Sequence, residues 1–94
     1  MTQTALEQFR IRILLLVEAT RSIGSTEDEL SLLLHTAGLK HEHDELEREV
    51  GYLVERTLLR KEIIPRLIGL KQTRIHITAD GRDWLAENNF RPTP

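Results

Sequence analysis

Two groups of side chains carry most of the chemistry open to this chain. The first is His41-Glu42-His43-Asp44-Glu45, a cluster of imidazoles and carboxylates of the kind that holds divalent metals. A metal site needs three or four ligands converging on one point, with hydrogen bonds behind them, and side chains two apart on a helix diverge. His41 reads more simply as a helix-entry residue and His43 as a partly exposed one, so neither a metal nor another cofactor is expected. The second group is cationic. Residues 60–82 carry Arg60, Lys61, Arg66, Lys71, Arg74 and Arg82 against Glu62 and Asp80, a net charge of +4. Cations at that density suit phosphate neutralisation.

Catalytic patterns are missing. There is no cysteine, which excludes disulfides, thiolate metal sites and cysteine nucleophiles. No Ser-His-Asp ordering, glycine-rich phosphate loop or helix-borne His-Glu-x-x-His occurs. Carboxylates crowd residues 42–55, but a solvated helix face is their ordinary meaning, and little chain remains to build a pocket that would desolvate them. No enzymatic activity is expected. No apolar stretch approaches the length of a membrane span, and the N-terminus lacks the basic-then-apolar layout of a signal peptide, so the expected location is the cytoplasm.

The elements that position these groups follow from periodicity. Ninety-four residues suffice for one domain, expected over residues 1–87, with 88–94 as an irregular tail. Thr4 and Glu7 read as a capping box, and Leu6, Phe9, Ile13, Leu16 and Val17 recur at helical spacing over residues 5–21. Ile11 and Leu15 fall on the other side of that helix. A second subunit is their expected cover, giving a homodimer; a covering terminal segment is the plain alternative. Thr26 and Glu29 open a second helix that ends at Gly38. A third helix spans residues 42–57, with Leu46, Val50, Leu53, Val54 and Thr57 on one face. The runs from Leu58 to Ile64 and from Gln72 to Thr78 are rich in β-branched residues and form a hairpin around a loop at 65–71. A short last helix begins at Thr78-Ala79-Asp80-Gly81 and would bury Leu85 and Trp84, the latter beneath the hairpin.

Helix, helix, helix, strand, strand, helix is a mainly α architecture with a small β-hairpin, of the α+β class. Two passages sharpen it. Leu33-Leu34-His35-Thr36-Ala37-Gly38-Leu39 joins two helices by a short glycine-containing turn. Ile77-Thr78-Ala79-Asp80-Gly81-Arg82-Asp83-Trp84-Leu85 resembles the passage by which winged helix-turn-helix domains leave their last wing strand for a closing helix. The resemblance spans residues 5–87. The length, Gly38 with its following helix, and the ending Phe90-Arg91-Pro92-Thr93-Pro94 are also similar to small winged-helix proteins of Mu-like phages and prophages.

That resemblance implies a DNA-binding transcriptional regulator or accessory factor, with the third helix in the major groove. The groove-facing set would be His41, Asp44, Glu45, Arg48, Gly51, Tyr52 and Glu55. Three of these are acidic, and residues 25–55 hold nine acids against Lys40 and Arg48. Phosphate would repel such a surface. The macrodipole accounts for Glu42, Asp44 and Glu45 at a helix start, but not for Glu49 or Glu55. Double-stranded DNA is therefore expected to meet the wing, through Arg60, Lys61, Arg66, Lys71 and Arg74. Guarding a strand edge against aggregation is the other meaning of those cations. The rival function is a protein-interaction module of the same fold, turning its acidic face to a basic protein partner. Tyr52 would then be a contact anchor, or else a lone surface residue.

Overall fold

The computed structural model describes residues 2–20, 23–65, 69 and 71–88. Helices α1 (Gln3–Ala19), α2 (Glu27–Thr36) and α3 (His43–Glu55) precede strands β1 (Leu59–Pro65) and β2 (Lys71–Ile77), and α4 (Ala79–Glu87) closes the chain. This is a winged helix, mainly α with a small antiparallel hairpin, in the expected order.

The first helix starts earlier than its sequence suggests. Thr2, not Thr4, is the N-cap, and its side chain accepts from the Ala5 amide at 3.1 Å. The added residues break nothing, and they bring Gln3 Nε2 to 3.3 Å from Glu7 Oε1, an (i, i+4) pair. At its other end α1 stops at Ala19, and Arg21 lies outside the described residues. Thr26 caps α2 as expected, accepting from the Glu29 amide. Gly38, at φ +84°, ends it: Leu39 N donates to Leu34 O and Gly38 N to His35 O, the paired bonds of a Schellman turn.

One core serves every element. Phe9, Ile13, Leu14 and Val17 of α1 pack with Leu30 and Leu34 of α2, with Leu46, Val50 and Leu53 of α3, and with Leu59, Ile75, Ile77 and Leu85. At about 25 cal/mol per Å² of apolar surface removed from water, this shared cluster is the main favourable term in folding. Trp84, expected in the core beneath the wing, packs against the core but is only half-buried, and it lines a cleft with α1 residues. The reason is helical spacing. Gly81 and Leu85, four apart, take the inward positions of α4, and the place of a Gly81 Cβ is already filled by the carbonyl oxygen of Leu58.

The hairpin is paired Leu59↔Ile77 through Pro65↔Lys71. Ser25 adds a bridge on the far side of β2, exchanging both backbone bonds with Ile75 at 2.9 and 2.7 Å. Hence β2 is central and β1 is an outer edge. Nothing in the local sequence around Ser25 signals this single-residue pairing.

Candidate nucleic-acid interface

Strand alternation sorts the wing's cations onto two faces. Leu59, Lys61, Ile63 and Pro65 share one face with Ile77, Ile75, Thr73 and Lys71. The base of that face is core. Its outer half leaves the core and exposes Lys61, Lys71, Thr73 and Ile63, the last at 63%. Arg60, Glu62 and Ile64 share the other face with His76, Arg74 and Gln72. Arg60 is exposed there, but Arg74 is half-buried and committed. Its Nη1 donates to the Gly24 carbonyl at 3.2 Å and its Nε to Gln72 Oε1 at 3.2 Å. Arg74 thus ties the wing to the segment before α2. Arg66, also expected to contact DNA, lies outside the described residues.

His76 performs a similar anchoring role that sequence reasoning did not find. It is buried, lies 2.8 Å from Glu62 Oε1 through Nε2, and packs so close to Gly24 that a Cβ there would stand 2.7 Å from its ring. Gly24 also has φ +82°, so glycine is required on two counts.

The expected recognition set does not stay together. Asp44 and Arg48 share the exposed side of α3 with Glu47 and Glu55, and Gly51 lies half-buried on the same side. Glu47 was not in the expected set. Glu45 instead closes a capping box with Glu42, its Oε1 accepting from the Glu42 amide at 2.9 Å. His41 is half-buried: its Nδ1 is 2.9 Å from Leu39 O, and its Nε2 is 3.0 Å from Ser31 Oγ. Its ring stacks on His35 at 4.2 Å and leans on Phe9. Tyr52 faces α1, with the Arg10 guanidinium 3.9 Å above its ring and Arg56 Nη1 donating to its hydroxyl at 2.7 Å. The outward side of α3 is therefore three carboxylates and one arginine.

Glu49, the acid that the helix dipole left unexplained, is buried and held by Arg10, whose Nε lies 2.6 Å from Oε1. Between the wing and α2 runs a cleft of about 440 Å³, lined by Lys61, Lys71 and Thr73 on one side and by Glu27, Asp28 and Glu29 on the other. Lys61 Nζ is 3.9 Å from Glu27 Oε1. A partly exposed pair this long is worth about 1 kcal/mol or less, so Lys61 remains available to another anion. Ile11 and Leu15, the expected dimer contacts, are both half-buried. Ile11 shares a cleft with Trp84, and Leu15 packs against the core. Among the described residues no three His, Asp or Glu side chains converge as a metal group, and no helix is long and apolar enough to cross a membrane.

No family model matches the sequence, and a search of curated proteins finds no match either. Among solved structures, the chain is similar to a PadR-like transcription factor from Bacteroides fragilis. The two share 20% identity with a TM-score of 0.78, over 93% of this chain and 82% of that one. At that identity the likeness is one of fold.

Proposed function

We propose that the protein is a DNA-associated transcriptional regulator or accessory factor in which the wing, rather than α3, supplies the phosphate contacts. The observation that carries this reading is the separation of charge: Arg60, Lys61 and Lys71 are exposed on the hairpin, whereas α3 presents Asp44, Glu47 and Glu55 outward with Arg48 alone. Phosphate neutralisation supplies nearly all non-specific affinity for DNA, and of these two elements it is the wing that offers it. The PadR-like neighbour, described as a transcription factor, supports a regulatory role at the level of the fold. The similarity to proteins of Mu-like phages belongs to the same proposal, and its tail, Phe90 to Pro94, lies outside the described residues. A cytoplasmic location and a homodimer are also part of this proposal; the homodimer would set two wings on one duplex and is measured by sedimentation equilibrium.

Fluorescence anisotropy of a labelled mixed-sequence duplex tests the reading. Binding in the micromolar range at about 20 mM salt, weakening steeply as salt rises, is the expected result, with loss on Lys61→Glu combined with Lys71→Glu. Absence of binding at low salt would overturn it. A second reading is favoured by the acidic run along α2 and α3: a basic protein partner docks on Asp28, Glu29, Asp44 and Glu47, all exposed. Under that reading the duplex does not bind, and Asp44→Lys with Glu47→Lys abolishes capture of the partner.

A further inference from the structure

A second cleft, on the side of the molecule formed by α1, α4 and the end of α3, has a volume of about 510 Å³, within the range of small-molecule sites. Its apolar lining comes from Ile11, Leu14, Leu53 and Leu58, with the half-buried Trp84 beside them. Two of its polar groups, Arg10 and Arg56, meet at one ring. The guanidinium carbons of Arg10 and Arg56 lie 3.9 and 5.7 Å from the centroid of Tyr52. Arg10 spends its Nε on Glu49, and Arg56 has no carboxylate partner among the described residues. Both guanidiniums bear on the same phenol ring at the mouth of an apolar cleft, and planar forks of this kind match a carboxylate. The carboxylate that lines the cleft, Glu7, is one turn before Arg10 on α1 and accepts from Gln3 Nε2.

We propose that this cleft binds an organic carboxylate with an apolar body, its head between Arg10 and Arg56 and its body against Leu58 and Trp84. The wing takes no part in this site, so the proposal stands apart from DNA binding. Arg56 is the residue to vary, because it is exposed, whereas Arg10 also holds Glu49.

The experiment is a nuclear magnetic resonance titration that follows the indole N–H of Trp84, the sole tryptophan. The probes are 2-naphthoate and its neutral match, 2-naphthamide. Naphthoate is expected to shift that signal with a dissociation constant below about 1 mM, and the amide to bind about tenfold more weakly or worse. Arg56→Gln should weaken naphthoate to the level of the amide while leaving the melting temperature unchanged, and Glu7→Gln should strengthen it. Equal binding of the two probes, or undiminished naphthoate binding by Arg56→Gln, would overturn the proposal. So would an indole signal that stays fixed at about ten times that concentration.

Discussion

Arg10 Nε and Glu49 Oε1 lie 2.6 Å apart and join α1 to α3 across the edge of the core, with side chains 22% and 8% exposed. Removing one partner of a buried pair strands the other charge, which costs about 3 to 5 kcal/mol. Arg10 keeps some contact with water, and Arg48 Nε stays 3.9 Å from Glu49 Oε2, so Arg10→Met should lower unfolding free energy by about 3 kcal/mol, the low end of that range. Arg10→Met together with Glu49→Leu should recover most of the loss, because neither charge then needs compensation. Urea denaturation of the three proteins measures both quantities. A double variant no more stable than the single one would contradict the account.

Two glycines offer opposite outcomes. Gly24→Ala meets a left-handed φ and the His76 ring together, and should cost about 2 kcal/mol or more. Gly51→Ala lies within α3, where an added Cβ has nothing within 4 Å, and should stabilise by about 0.5 to 1 kcal/mol. Thermal melts of the pair test the packing of the wing and of α3 independently.

Periodicity made the order of elements legible, and even the buried ion pair was written there. Leu46, Glu49, Val50 and Leu53 follow i, i+3, i+4, i+7, as do Leu6, Phe9, Arg10 and Ile13, so each apolar stripe holds one charge of opposite sign to the other's. Counting Glu49 only as surface charge missed that. Other features had no local signal. The Ser25–Ile75 bridge spans fifty residues through one residue of pairing, and Arg74 looks like any exposed wing cation until the Gly24 carbonyl is brought to it by the fold. Likewise Tyr52 stands on a charged face by sequence but is drawn to α1 by Arg10.

Thr57 sits just after α3 at φ +62°, in the left-handed region that β-branched residues avoid. The turn needs that angle, since Leu58 N donates to Leu53 O and Thr57 N to Val54 O. Its carbonyl accepts from Thr78 Oγ1 at 2.6 Å, a bond that any residue at this position keeps. Thr57→Gly should therefore raise stability by about 1 kcal/mol, net of the hydroxyl contacts it gives up. Thr57→Val keeps the branch and loses the hydroxyl, and should fall below the unaltered protein. Urea midpoints at constant m-value provide the ranking.

The wing's cations divide into those that hold the structure and those left for a partner, and the two kinds respond differently. Arg74→Ala cuts the bond to Gly24 O, so it should lower the melting temperature and leave the salt dependence of DNA binding nearly unchanged. Lys71→Ala should do the reverse: an unaltered melt, uniformly weaker binding, and a slope of log affinity against log salt shallower by about 1. Adding charge to α3 extends the test. Asp44→Lys with Glu47→Lys removes two exposed acids from its outward side, and should strengthen non-specific binding about tenfold or more and steepen the slope. Such a gain requires α3 to lie near the duplex when the wing engages it. If affinity rises no further than it does for lysines placed on α4, at Asp83 and Glu87, then α3 faces away from the DNA and the wing binds without it.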